Sequence, residues 1–224
     1  MYFNTNFEPH LSALLFLGTG ILLLLLILTS LILCFVKSQW LRYSLWSIGI
    51  MLAGYVLLLA GFSLFSHERT LARGQEKYFC ELDCHIAYSV QNVERMNQIG
   101  NSVANGEYYV VTIRSRFDET TTAPWRPRDL ALKPDPLYFS LVDTHGDAVP
   151  PSLVGQKAWE ASHGMSPDLF RPLHPGESTQ AIFVFDVPPG MHSPRLLASI
   201  AGFPSPVLIG DETSPLHKKT FFSL

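Results

Sequence analysis

Hydrophobic positions along the chain change texture near residue 66. Leu11 to Val36 reads LSALLFLGTGILLLLLILTSLILCFV, Tyr43 to Phe65 reads YSLWSIGIMLAGYVLLLAGFSLF, and neither run contains Asp, Glu, Lys or Arg. At about 1.5 Å rise per residue the first run would reach roughly 39 Å as a helix, more than the ~30 Å hydrocarbon core of a bilayer. Helices in the core of a soluble protein seldom stay uncharged on every face over such a length. The pattern therefore predicts two transmembrane helices, 11–36 and 43–65, joined as a tight hairpin by the connector 37–42.

Beyond residue 66 short alternating runs take over, separated by Pro, Gly, Asn and Asp. In EYYVVTIRSRF the alternation puts Tyr109, Val111, Ile113 and Phe117 on one face and Tyr108, Thr112, Arg114 and Arg116 on the other. Asn105-Gly106 just before it has the composition of a hairpin turn. HIAYSVQNV, PLYFSLVD, TQAIFVFDV, PRLLASIAGF and SPVLIGD read as further strands, and LVGQKAWEASHG as no more than a helical turn. Six or seven short strands punctuated by turns predict an all-β segment over 66–224, folded as an antiparallel immunoglobulin-like β-sandwich or, failing that, a small barrel.

Composition and charge sharpen this division. Of the 224 residues 47% are hydrophobic and 16% charged, and the apolar excess lies before residue 66. The connector carries Lys37 and Arg42, whereas residues 1–10 hold no Lys or Arg. The positive-inside rule then places the connector in the cytoplasm, with residues 1–10 and the β-rich segment extracytoplasmic. Arg69, Arg73 and Lys77, just past the second run, pull weakly the other way. A signal peptide would need a basic start and a shorter apolar stretch. With no Asp, Glu, Lys, Arg or His inside either span, the hairpin reads as an anchor in a cytoplasmic (inner) membrane, not as an ion path. The β-rich segment would then be periplasmic or extracellular.

Three sequence blocks carry a resemblance. The turn Asp143 to Asp147, the run Leu173 to Glu177 and the strand end Phe183 to Pro188 follow one another after the GEYYVVTIRSRFDET strand. This succession resembles the telokin-like immunoglobulin-type domains of bacterial membrane-anchored surface proteins, over about residues 86–200. The resemblance implies a sandwich fold and a binding or assembly role, and it implies no catalytic residue.

The segment KYFCELDCHIAYSV holds the densest chemistry. Cys80 and Cys84 stand four positions apart, with His85 directly after. In an oxidising compartment such thiols are disulfide-bonded or metal-bound. Extended chain would hold their Cα atoms about 13 Å apart, while a disulfide needs about 7 Å or less, so joint action requires the chain to turn here. Four chemistries fit: a local disulfide or isolated thiols; a copper or other soft-metal site with Cys80, Cys84 and His85 as ligands; a variant haem c attachment one residue longer than C-x-x-C-H; and thiol–disulfide exchange. His163, Met165, Met191, His192 and His217 are candidate further ligands. The two-helix topology with Cys80, Glu81 and Cys84 partially resembles subunit II of haem–copper oxidases. Tyr88 and Gln91 stand where that family has its histidine and methionine, and the motif precedes the sandwich, so membership is not implied.

No nucleotide-binding loop, zinc-protease or serine-hydrolase motif occurs. The net charge of −3 and the lack of a basic stripe argue against nucleic acid. The expectation is a membrane-anchored extracytoplasmic binding or assembly protein, leaning non-enzymatic, with copper at Cys80, Cys84 and His85. A c-type cytochrome and a metal-free structural subunit are the alternatives. The expected partners are the membrane and another envelope or respiratory-type membrane protein.

Overall fold

A computed structural model describes residues 2–79, 85–122, 126–200 and 202–224. The chain divides into two compact units: Thr5–His67 with Gly202–Lys218, and Met1–Asn4 with Glu68–Ala201 and Lys219–Leu224.

The first unit is built on two long apolar helices, α1 (Pro9–Phe35) and α2 (Leu41–Leu64). Pro9 occupies the first turn of α1, where its missing N–H and fixed φ cost nothing. α1 ends where Lys37 takes a positive φ of 51°. The two helices touch through small polar residues. Ser30 and Ser44 share a hydrogen bond of 2.8 Å, and both hydroxyls also reach the carbonyl of Leu26. The large side chains point away from the pair: Leu14, Ile32, Ile50 and Leu57 are each at least 64% exposed. Both helices are long and apolar enough to cross a membrane.

Residues 202–218 belong to this unit. SPVLIGD, expected as a strand, instead forms a 3-10 turn at Ser205–Val207 followed by irregular chain. Pro204 and Pro206 have no amide to give a ladder, so a sheet cannot use them in its interior. The segment rests on the helices through Ser12 Oγ donating to Ile209 O (2.9 Å) and Tyr55 OH donating to Val207 O (2.8 Å).

The second unit contains two five-stranded sheets. Among the described residues the strands in chain order are β1 (Tyr2–Phe3), β2 (Arg69–Leu71), β3 (Lys77–Tyr78), β4 (Ile86–Ile99), β5 (Ser102–Phe117), β6 (Leu137–Val142), β7 (Ala148–Val149), β8 (Ser178–Val187), β9 (Arg195–Ile200) and β10 (Thr220–Phe222). One sheet has the order β1-β3-β4-β5-β8, the other β2-β10-β9-β6-β7. Most neighbours are antiparallel, but β1–β3 and β2–β10 run parallel, so the sheets are mixed, not purely antiparallel as expected. Parallel neighbours need a long crossover. The chain through both helices supplies it for β1 and β3, and the body of the domain supplies it for β2 and β10.

The alternation read from the sequence sets the core. Val90, Val111, Ile113, Phe117, Leu141, Phe185 and Leu196, drawn from both sheets, are essentially inaccessible and form one cluster. The opposite face of β5 is covered as well. Tyr108 and Val110 pack with Val184, Ile99 and Trp159 in a second cluster. Trp159 comes from α3 (Leu153–His163), a full helix where the sequence suggested a single turn. Ser152 caps it, accepting the Gly155 amide at 3.1 Å. Its weak amphipathic pattern is explained by packing, because Gly155 lets the helix backbone sit against Val184 and Tyr108.

The expected turn at Asn105-Gly106 is not a turn. Both residues lie inside β5, and the chain reverses earlier, at Gly100 with φ 55° and Asn101. Gly106 serves close approach instead. A Cβ there would strike the Val187 carbonyl and the Pro189 nitrogen.

Candidate functional site

Cys80 and Cys84 lie outside the described residues, and so does Trp125. His85 is described, together with the elements on each side of the cysteine segment. Tyr78 at the end of β3 pairs with Ala87 at the start of β4, so residues 79–85 join two antiparallel neighbours.

Asp118, directly after β5, ties both ends of this connection. Its Oδ2 accepts the Tyr78 hydroxyl at 2.5 Å, and its amide donates to the His85 carbonyl at 2.8 Å. Its Oδ1 accepts the amide (3.0 Å) and hydroxyl (2.7 Å) of Thr120. An acid just past a strand is usually solvated, yet the structure leaves Asp118 only 3% exposed. Burial on its own would raise the Asp118 pKa. Hydrogen bonds from Tyr78, Thr120 and Arg116 outweigh it and hold the carboxyl well below its ordinary range. The Tyr78 hydroxyl moves the other way, raised by burial and by the hydrogen bond to Asp118.

Arg116 and Arg114 extend the network. The Arg116 guanidinium grips Glu76 with two bonds, Nε to Oε1 at 2.8 Å and Nη2 to Oε2 at 2.7 Å, and reaches Asp118 at 3.2 Å. Arg114 reaches Glu76 at 3.0 Å. The Arg116 hydrogen bond is the largest influence on Glu76 and lowers its pKa. A sequence signal for this network exists in R-S-R-F-D. Residues 114, 116 and 118 alternate onto one face of a strand, but only the fold brings Glu76 and Tyr78 opposite them.

His85 stacks on Phe117 with centroids 5.4 Å apart and ring planes at 18°, and its Nδ1 lies 2.6 Å from Thr121 Oγ1. The Thr121 hydroxyl donates its proton to the Asp118 carbonyl at 2.8 Å. Its oxygen is therefore left to accept from His85 Nδ1.

The other expected ligands are dispersed. His163 stacks on Trp159 at the end of α3, with Nδ1 near the Trp159 carbonyl. Met165 is 88% exposed, and Met191 packs at the margin of the main core. His217 contacts the carbonyl of Lys218 in the helical unit. Among the described residues no group of three or more His, Cys, Asp or Glu side chains could hold a metal ion.

No family model and no curated protein matches the chain. Among solved structures it is similar to the yjhA protein from Bacillus subtilis, with TM-score 0.41 and 14% identity over 69% of this chain and 99% of that one. It is similar also to MPT63, a secreted protein from Mycobacterium tuberculosis, with TM-score 0.41 and 12% identity over 72% of this chain and 100% of that one. A conserved hypothetical protein from Bacillus anthracis matches with TM-score 0.38 and 12% identity over 58% of this chain and 88% of that one. Likenesses of this size assign neither a family nor an activity to the chain.

Proposed function

We propose that this chain is a membrane-anchored protein whose β unit, of immunoglobulin-like type, acts on the non-cytosolic side as a non-enzymatic binding or assembly module. The observation that carries the reading is the outward display of apolar side chains by α1 and α2. Only 11% and 6% of their most apolar stretches are buried within the chain. Water would penalise so much exposed hydrocarbon by about 25 cal/mol per Å², whereas lipid covers it. Lys37 and Arg42 at the connector support a cytoplasmic connector and an extracytoplasmic β unit. The partner class is another membrane protein of the envelope or respiratory type. An alkaline phosphatase reporter tests the topology: active when fused after Leu224 and inactive when fused within 37–42. The reverse pattern overturns it.

A second reading is copper binding at Cys80, Cys84 and His85, with haem c and a metal-free structural subunit as its rivals. The specific observation in its favour is the hydrogen bond from His85 to Thr121, because a ring held at Nδ1–H by a neighbouring oxygen is the usual arrangement for ligation through Nε2. Metal analysis of the purified protein beside Cys80→Ser and Cys84→Ser variants tests it. Copper lost in the variants supports the site, and equal copper in all three rejects it. A Soret band that survives acid–acetone extraction would select haem c instead.

A further inference from the structure

We infer that residues 203–210, FPSPVLIG, form a third membrane-embedded element, a short re-entrant loop at hydrocarbon depth in the leaflet opposite the connector, with Ser205, Leu208 and Ile209 buried within the protein and Phe203 facing the acyl chains. This rests on the membrane reading above and extends it, because hydropathy alone marks two helices and leaves this segment in the soluble part.

Depth along the helices is the first argument. The Phe203 ring meets Phe16 with centroids 5.5 Å apart, and Tyr55 OH donates to Val207 O at 2.8 Å. Phe16 lies about 10 Å along α1 from Pro9, and Tyr55 about 14 Å along α2 from Leu64, at 1.5 Å per residue. A 27-residue α1 is roughly 40 Å long and overhangs a ~30 Å hydrocarbon core by about 5 Å at each end. Both contacts then fall below the hydrocarbon boundary. Raising the boundary to Tyr55 would leave residues 41–54 of α2 to cross alone, a span of about 21 Å, which is too short.

Backbone chemistry is the second argument. Irregular chain at membrane depth is tolerated where it is buried in protein, and Ser205, Leu208 and Ile209 are each at most 3% exposed. Here Val207 O accepts from Tyr55, Leu208 O from Ser214 Oγ at 2.8 Å, Ile209 O from Ser12 Oγ at 2.9 Å and Gly210 O from the Asn6 amide at 2.9 Å. The Val207 and Leu208 amides close the 3-10 turn onto Pro204 O and Ser205 O, and the two prolines have no amide to satisfy. Ser12 and Tyr55 are polar side chains that the helices present to this loop.

The exposed side is the third. Phe203 is 78% exposed although its ring meets Phe16 on α1, a helix that also leaves Leu14 and Leu17 exposed. A loop in water would gain nothing from displaying it; a loop in hydrocarbon gains its full transfer free energy.

Photolabelling of the wild-type chain decides the matter. The protein is reconstituted in vesicles of phosphatidylcholine and phosphatidylglycerol whose acyl tails carry a diazirine in their upper third, irradiated, and mapped by mass spectrometry. Adducts on α1, α2 and 203–210 are expected, and Phe203→Asp should lower those on 203–210 several-fold while leaving those on α1 unchanged. Labelled helices with an unlabelled loop overturn this inference and leave the anchor intact. Unlabelled helices overturn the anchor itself.

Discussion

Gln156 accepts the backbone amide of Val184 at 3.2 Å, and in doing so a side chain of α3 takes the place of a strand beside β8. Its Nε2 completes the imitation by donating to Ile182 O at 3.2 Å. The Ser166 hydroxyl accepts the Ile182 amide at 2.8 Å, and the Ser152 amide donates to Val184 O at 2.7 Å. β8 is the last strand of its sheet, and a bare edge invites pairing with another chain. Gln156→Leu keeps the bulk but strips both bonds. A loss of about 1–3 kcal/mol is expected, read as a lowered Tm, together with a rise in dimer by chemical cross-linking. An unchanged Tm would show that these bonds contribute nothing.

Gly155 offers a contest between two magnitudes. Alanine in a helix interior gains about 1 kcal/mol over glycine. Here its Cβ would come within 2.7 Å of Val184 Cγ1 and 3.0 Å of Tyr108 Cε1, both on buried residues. Overpacking of that kind costs about 1–3 kcal/mol, so Gly155→Ala should be destabilising in denaturant titration. A stabilised variant would mean that α3 does not dock this closely.

Acid should loosen the second unit through Glu76 and Asp118. Both carboxyls titrate below their ordinary values, Glu76 chiefly through the Arg116 hydrogen bond, Asp118 through bonds that outweigh its burial. A carboxyl depressed in the folded state contributes stability that is complete above its unfolded pKa near 4 and is lost as pH falls through the folded value. Tm should therefore fall steadily below about pH 4.5. Glu76→Gln should lower the neutral-pH Tm and flatten that slope. Parallel slopes for the two proteins would remove Glu76 from the account.

Within the helical pair, Ser44→Ala removes the bond to Ser30 and the contact with Leu26 O. If the proposed anchor is right, the bond joins two membrane helices, where such bonds are worth about 0.6 kcal/mol on average and up to about 1.7. The variant should lose stability in that range by mixed-micelle unfolding, and Ser44→Thr, which retains the hydroxyl, should recover most of it.

The His85 tautomer is directly observable. Nitrogen NMR of the neutral ring should report a protonated Nδ1, and Thr121→Val should relax it toward the Nε2–H form common in water. A wild-type ring already in the Nε2–H form would contradict the Thr121 geometry.

What could be read without coordinates was whatever depends on near neighbours in the chain. Two uncharged runs announced α1 and α2, and the period-two alternation of Tyr109, Val111, Ile113 and Phe117 announced which face of β5 is buried, because both patterns repeat within a few residues. The tertiary structure decided everything that depends on partners far along the chain. Asp118 looks like a turn acid until Tyr78 arrives from forty positions away, and SPVLIGD looks like a strand until Ser12 and Tyr55 claim its carbonyls. Asn105-Gly106 has the local chemistry of a turn, yet the end of β8 presses against it and keeps it extended. Local sequence expresses conformational preferences worth about a kilocalorie per mole or less per residue. Burial and hydrogen bonds to distant groups exceed that, and those groups are brought together only by the fold.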